Sequence, residues 1–155
     1  MEIERKWLIE EKNLPEDIKT YAGHRINQGY VNPDDEYLIR VRHNKSIQYP
    51  EKIKDTYKLE IKSKGLLIRD EWRFDTTEEK FWEIYNKSSR TISKTRYYMI
   101  VDQLEYEIDF YDAYKFITLE IEFKSLEEAE NFEAPSWFGE DVTYKPEYKN
   151  VNLAQ

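Results

Sequence analysis

The chain contains no cysteine, and its 155 residues include only two histidines, four glycines and five prolines. The absence of cysteine excludes disulfide bonds, thiolate zinc sites and cysteine nucleophiles, and it suits the cytoplasm, which is the predicted location. No apolar run approaches the roughly 20 residues of a membrane-spanning helix, and charged residues follow Met1 where a signal peptide would be apolar. We therefore expect no membrane partner.

Positive charge is also in deficit. Because 32 aspartates and glutamates outnumber 24 lysines and arginines, the net charge is −8 and no general nucleic-acid-binding surface is expected. With 13 tyrosines, seven phenylalanines and four tryptophans, the chain has too many aromatic residues for an acidic disordered protein. It contains no linker, fixed repeat or low-complexity segment, so residues 1–155 are predicted to form one domain. A monomer or a homodimer is expected.

What the sequence does contain is strict alternation of apolar and charged residues, which is the period of β-strands. This pattern predicts eight strands connected mostly by hairpins, and the predicted fold class is antiparallel α+β. The predicted strands cover residues 2–9, 25–31, 37–42, 57–62, 66–74, 92–99, 105–111 and 119–124.

A few short helices are predicted between the strands. Thr76 and Ser125 each precede a glutamate by three residues, the spacing of a capping box, and each is followed by apolar residues at helical spacing. Residues 13–16 predict the start of a short helix, with Pro15 at its first position. A weaker signal lies at residues 146–149.

In each strong strand the residues of one parity are apolar and those of the other parity are charged, so each strand has one charged face. For a single strand, exposure of that face to water is the simpler explanation. Across the whole sheet almost every position of that parity is fully charged, and the apolar faces all need covering. An eight-stranded antiparallel barrel with the charged faces inward would enclose ten basic and nine acidic side chains.

So many buried charges have to pair with one another or with a bound ligand. Acidic residues two positions apart suit hard divalent cations such as Mg²⁺ or Mn²⁺, which prefer oxygen ligands. Rows rich in arginine suit phosphate, because a guanidinium group binds two phosphate oxygens at once. The residues therefore predict a small polyphosphate, bound together with a divalent metal ion.

The order of the motifs resembles that of the CYTH domain, the family of the triphosphate tunnel metalloenzymes, and in particular its short bacterial members. The resemblance begins at the N-terminal E-x-E-x-K motif, Glu2-Ile3-Glu4-Arg5-Lys6, and covers essentially the whole chain. Further similar motifs are Gln28-Gly29-Tyr30, Arg40-Val41-Arg42, Ile61-Lys62, Arg69 with Glu71, Lys94-Thr95-Arg96-Tyr97, Glu107-Ile108-Asp109 and Glu120-Ile121-Glu122.

The resemblance implies an eight-stranded barrel whose tunnel binds a triphosphate and supports a metal-dependent reaction on it. Glu4, Glu122 and Lys6 are the implied catalytic residues. The implied ligands of Mg²⁺ or Mn²⁺ are Glu2, Glu4, Asp109, Glu120 and Glu122. The implied substrate-binding residues are Lys6, Arg40, Arg42, Lys62, Arg69, Arg73, Lys94 and Arg96.

Two positions depart from the family pattern. Arg73 stands where a second acidic residue is usual, and Glu60 stands where a small polar residue is usual. An ion pair between the two side chains is expected, which would leave the metal site intact.

The leading expectation for function is hydrolysis of inorganic triphosphate to pyrophosphate and phosphate, because the identifiable site residues address phosphates alone. Within the family, the alternatives are a class IV-type adenylate cyclase and a nucleoside or thiamine triphosphatase. Two further alternatives are a non-enzymatic polyphosphate-binding module and a structural β-protein with solvated charged faces.

Overall fold

The alternating segments form one antiparallel sheet that rolls into a nearly closed barrel, in the computed structural model that describes residues 1–155. Neighbouring strands follow the order β5-β1-β9-β8-β7-β2-β3-β4-β6 around the ring. The nine strands are β1 (Glu2–Ile9), β2 (Gly23–Tyr30), β3 (Tyr37–Ser46), β4 (Thr56–Ser63), β5 (Ile68–Arg69), β6 (Glu71–Asp75), β7 (Arg90–Val101), β8 (Leu104–Tyr111) and β9 (Ile117–Glu122).

The predicted antiparallel barrel is confirmed, with nine strands in place of eight. The segment 66–74, predicted as one strand, is interrupted at Asp70, which exchanges hydrogen bonds with Ser63. On one side of this break β5 pairs with β1, and on the other side β6 pairs with β4. This single bent segment thus supplies both edge strands of the sheet, β5 and β6, and the chain at Asp70 joins them to complete the ring.

Three short helices lie outside the strands: α1 (Glu78–Asn86), α2 (Leu126–Asn131) and α3 (Asn150–Leu153). The N-cap of α1 is Thr77, one residue after the predicted Thr76, and its side chain accepts a hydrogen bond from the backbone N–H of Lys80. Ser125 caps α2 as predicted, accepting from the N–H of Glu128 at 3.1 Å. None of the helices combines the length and the apolar composition that crossing a membrane requires.

The short helix predicted to start at residues 13–16 forms only as tight turns, and no α-helix begins at Pro15. Single 3₁₀ turns cover Glu11–Asn13 and Ile18–Thr20 instead, on either side of Pro15. Leu14 is extended, with ψ of 156°, as expected for the residue before a proline. The buried side chains of Leu14 and Ile18 then hold the segment against the barrel wall.

The hydrophobic core lies between the outer wall of the barrel and the segments that cover it. Trp7, Leu119 and Ile121 belong to a cluster of 13 buried residues on the outward faces of β1, β8 and β9 and the segments that pack on them. Arg5 fastens this cover, because its guanidinium group donates to the carbonyls of Ala129 and Phe132 at 2.8 and 2.9 Å. The apolar parity therefore faces outward, which leaves the charged parity for the interior.

The end of the chain closes one mouth of the barrel. Val151, Leu153 and Ala154 pack against Tyr30 and Leu38 in a second hydrophobic cluster. The final residue is anchored as well, since Gln155 and Thr91 exchange two backbone hydrogen bonds of 2.9 Å. The C-terminal segment is thereby fixed over the tunnel, where the residues that precede α3 can contribute to its lining.

Replacement of Ile121 with alanine tests where the core lies. Ile121 is fully buried, so the lost contacts and the resulting cavity should lower the free energy of unfolding by about 2–5 kcal/mol in urea denaturation. Ile100→Ala is the matched control, because Ile100 is 70% exposed and should change the free energy by less than about 0.5 kcal/mol. Equal losses in the two variants would contradict this placement of the core.

Candidate active site

The charged faces of the strands point into the barrel, as predicted, and they line its central tunnel. No hydrophobic side chain contributes to this part of the wall. The tunnel is lined by Glu2, Glu4, Gln28, Arg40, Arg42, Lys62, Arg69, Arg73, Lys94, Arg96, Glu107, Glu120, Glu122 and Asn150.

Thirteen site residues were expected from the sequence, and the tunnel wall brings eleven of them together. The other two lie beside it. Lys6 lines the adjoining cavity at the end covered by the C-terminal segment. Asp109 is fully buried behind the wall, between Lys94 and Arg96.

The expected pair between Glu60 and Arg73 is confirmed, with Arg73 Nε 3.2 Å from Glu60 Oε2. Glu60 is 1% exposed and also accepts two hydrogen bonds of 3.0 Å from Nη2 of Arg40. Although burial opposes ionisation, Arg40 holds the pKa of Glu60 well below its usual value. Glu60 is therefore an internal counter-ion on the cationic side of the tunnel.

A second group of ion pairs joins the start of β1 to β4 and β5. Arg69 donates to Glu2 at 2.7 Å and to Glu4 at 3.1 Å, and Lys62 Nζ lies 3.3 Å from Glu2 Oε1. Lys62 is also 3.4 Å from Glu71 Oε1. Through Glu2 and Lys62, these contacts link Arg69 on β5 to Glu71 on β6, the two strands on either side of the break at Asp70.

The third group lies on β7 and β8, where Asp109 faces two cations. Lys94 Nζ is 2.8 Å from Asp109 Oδ2, and Arg96 donates to both oxygens at 2.7 and 2.8 Å. Arg96 also forms a salt bridge with Glu107. Burial and the neighbouring Arg96 lower the pKa of Lys94 to about 7, while Asp109 opposes this shift.

One wall of the tunnel is acidic because the strand register places glutamates opposite one another. Glu4 on β1 lies opposite Glu122 on β9, and Glu120 lies opposite Glu107 on β8. Burial, with the nearby Glu120 and Glu2, raises the pKa of Glu4 to about 7. Burial and the same kind of repulsion, from Glu2 and Glu107, raise the pKa of Glu122.

The carboxylates of the acidic wall are candidate ligands of a divalent cation. Carboxylate oxygens are the donors that such cations prefer, and a cation between the glutamates would relieve the repulsion that raises the pKa values of Glu4 and Glu122. No three acidic or histidine side chains are placed to hold one ion. The donor set thus fits a cation in its chemistry and its position, but side-chain movement is needed to bring three ligands together.

Four residues at the tunnel had no site role in the sequence-based prediction. Gln28 and Glu107 both lie within the compared motifs. Glu107 is on the charged parity of its strand, so alternation alone would have found it. Gln28 shares its parity with Ile26 and Tyr30, which alternation would have assigned to the apolar outer face. Lys149 and Asn150 belong to the C-terminal segment, which has no periodic pattern. Burial and the neighbouring Arg69 lower the pKa of Lys149 to about 8.

Comparison with known proteins identifies a curated relative over nearly the whole length. The chain is 33% identical over 160 residues to the inorganic triphosphatase of Nitrosomonas europaea, covering 99% of this chain and 96% of the relative. No family model matches the sequence.

Solved structures of other proteins share the fold of this chain. The crystal structure of an inorganic triphosphatase is similar with a TM-score of 0.65 and 28% identity, covering 99% of this chain and 94% of the other. A structure from Bacillus halodurans, described as a candidate adenylate cyclase, is similar with a TM-score of 0.53 and 15% identity over 84% of each chain. At that identity the second likeness shows a shared fold alone.

The raised pKa of Glu4 predicts a pH dependence of stability. Because the pKa in the folded protein, about 7, exceeds the ordinary value of 4.5, the bound proton stabilises the fold below pH 4.5, and this contribution is lost as the pH rises through 7. In urea denaturation with a metal chelator, the free energy of unfolding of the wild type relative to Glu4→Gln should fall by about 1–3 kcal/mol between pH 5 and pH 8.

The matched control is Glu10→Gln, at an exposed position outside the tunnel, which should leave the pH dependence of the wild type unchanged. The same pH dependence in wild type and Glu4→Gln would contradict the raised pKa.

Proposed function

The chain belongs to the inorganic triphosphatase family, and on this basis we propose that its tunnel binds inorganic triphosphate and hydrolyses it to pyrophosphate and phosphate. The observation that carries the proposal is the tunnel wall, which offers charged and polar side chains and no hydrophobic one. Such a wall suits a substrate that consists of phosphoryl groups alone. The ordered motifs also support the narrower proposal that residues 1–155 are one CYTH domain of the triphosphate tunnel type.

The cationic side of the tunnel binds the phosphate oxygens in this proposal. Every substrate-binding residue expected from the sequence lines the tunnel or the cavity that adjoins it. Their counter-ions are carboxylates such as Glu60, so a triphosphate would replace some contacts of the existing ion pairs. Arg42 differs from the others, because it forms no salt bridge within 4.0 Å and is free to bind a phosphoryl group.

The acidic wall holds the divalent cation in this proposal, with Glu4, Glu120 and Glu122 as its ligands. A bound Mg²⁺ or Mn²⁺ supplies positive charge to the phosphate oxygens and orients them. The metal roles of all five expected carboxylates stay predictions. Glu2 and Asp109 each contact two cations of the tunnel. Glu4 and Glu120 are paired as well, with Arg69 and Lys6, and would exchange these contacts for the metal. Glu107 lies opposite Glu120, so it is placed to support this wall.

In the reaction, the oxygen of a water molecule forms a bond to a terminal phosphorus and the bridging P–O bond breaks. Pyrophosphate leaves with the electron pair of that bond, and a proton of the water passes to the solvent or to the leaving pyrophosphate. Phosphoryl transfer requires mainly positioning and the stabilisation of charge. We assign this stabilisation to Lys6, Lys94 and Arg96, whose buried cations face the developing charge in a region of low dielectric constant.

An adenylate cyclase is the runner-up within the shared fold. A cyclase has to hold an adenine and a ribose, and the aromatic and aliphatic side chains that could contact a base, such as Tyr30 and Tyr148, line the adjoining cavity and not the central tunnel. Hydrolysis of inorganic triphosphate is the better supported activity, because the relative that is 33% identical is an inorganic triphosphatase, whereas the cyclase-like structure is 15% identical. The cytoplasmic location, the preference between Mg²⁺ and Mn²⁺ and the choice between monomer and homodimer stay predictions.

The test of this function is a substrate panel assayed with Mg²⁺, with Mn²⁺ and with a chelator. Inorganic triphosphate, ATP and thiamine triphosphate are supplied, and the release of phosphate, pyrophosphate and cyclic AMP is measured. Metal-dependent phosphate release that is fastest from inorganic triphosphate is expected. Cyclic AMP as the main product, or tight triphosphate binding without turnover, would contradict the proposal.

Glu122→Gln tests the acidic wall, because it keeps the size of the side chain and removes its negative charge. We expect turnover of inorganic triphosphate to fall at least about 100-fold, since the metal ligand set loses a carboxylate. The matched control is Glu127→Gln on the exposed first turn of α2, which should retain wild-type turnover. Full activity of Glu122→Gln, with normal melting temperature, would exclude Glu122 from the metal site.

A further inference from the structure

Gln28 is fully buried, and neither its Oε1 nor its Nε2 atom has a hydrogen-bond partner in the protein. No other buried side chain in the structure leaves its polar atoms unpartnered in this way. A buried amide without partners destabilises the fold, so native proteins rarely keep one. The partner of this amide therefore lies outside the protein chain, and a bound ligand that carries hydrogen-bonding groups would supply it.

The surroundings of Gln28 indicate what that molecule is. On paired strands, Gln28 of β2 lies opposite Arg42 of β3, and both side chains line the tunnel. Arg42 donates from Nε to Asn44 at 2.9 Å and has no carboxylate within 4.0 Å, unlike the paired arginines around it. An unpartnered amide thus lies next to a half-buried guanidinium without a counter-ion. An anion with several acceptor oxygens satisfies both groups at once.

We propose that Gln28 is a substrate-binding residue whose Nε2 donates a hydrogen bond to a non-bridging oxygen of the phosphoryl group that Arg42 neutralises. Its Oε1 accepts a hydrogen bond from a water molecule bound to the same group. The inference rests on the proposed function, because it takes this phosphoryl group to belong to inorganic triphosphate.

A neutral donor suits this position better than another cation would. Arg96 and Arg40 already flank Arg42, and burial together with these two cations lowers the pKa of Arg42. A lysine at position 28 would add to this repulsion in the ligand-free protein. An amide supplies a hydrogen bond to the phosphate without adding charge. Its Nε2 atom can donate while its Oε1 atom accepts.

Gln28→Met separates this role from a structural one, because the two predict opposite changes in stability. Removal of an unpartnered amide should raise the melting temperature of the ligand-free protein by roughly 2–4 °C. The same variant should bind triphosphate more weakly, with kcat/KM reduced about 10- to 100-fold and a smaller rise in melting temperature on addition of sodium tripolyphosphate.

Gln48→Met is the matched control, since it makes the same substitution at an amide that has partners. Gln48 accepts from the N–H of Gly23 at 2.9 Å and donates to the carbonyl of Tyr21, away from the tunnel. This control should melt at a lower temperature than the wild type and retain its kcat/KM for triphosphate.

A second variant, Gln28→Glu, keeps the shape of the side chain while replacing the Nε2 donor with a carboxylate oxygen. It should reduce kcat/KM for triphosphate at least 10-fold, because a negative charge then faces the phosphate. This variant keeps the inference testable if Gln28→Met does not fold.

The outcomes distinguish this inference from the function on which it rests. If the wild type neither hydrolyses nor binds tripolyphosphate, both fail. If the wild type is active and both Gln28 variants keep its kcat/KM, the function stands and the role of Gln28 is wrong. A lower melting temperature for ligand-free Gln28→Met would also overturn the inference, because it would show that the amide already has a stabilising partner.

Discussion

Charged side chains inside a barrel are stable only where each one has a counter-charge or a ligand, and this requirement accounts for the arrangement of the tunnel. Asp109 lies between Lys94 and Arg96, and Glu60 lies between Arg40 and Arg73. The ion pairs connect neighbouring strands, so the same contacts that satisfy the charges also hold the ring together. Chemistry is expected where pairing is incomplete, at Glu122 on the acidic wall and beside Arg42.

The two kinds of wall have different physical roles. Cations dominate where phosphate oxygens are to be bound. On the acidic wall, burial together with the nearby Glu120 and Glu2 raises the pKa of Glu4 to about 7, so this carboxylate resists ionisation until a cation is bound. The C-terminal segment adds to the cationic end, where Lys149 and Lys6 share a cavity. An anionic substrate at the cationic end and a metal cation at the acidic wall would thus each neutralise charge that the protein alone leaves uncompensated.

The barrel and the inward direction of the charges were predictable because alternation with a period of two assigns each residue to one face of a strand. The pair of Glu60 and Arg73 followed from their inward positions on neighbouring strands. The break at Asp70 did not follow, since it depends on two different partner strands that local sequence does not reveal. The start of a helix at Pro15 was wrong because burial of Leu14 and Ile18 outweighed a weak local signal. The unpartnered amide of Gln28 was not predictable, because the lack of a hydrogen-bond partner is a property of the packed interior.

The closure of the ring at Asp70 also affects how copies of this protein meet one another. An open sheet ends in strands whose unpaired backbone groups invite strands of other molecules, and long exposed edges are starting points for aggregation. Here the two terminal strands have two and five residues and follow each other directly along the chain. A sheet that encloses a tunnel in this way offers neighbouring molecules no long template to extend, so protection from fibril formation accompanies the geometry that binds the substrate.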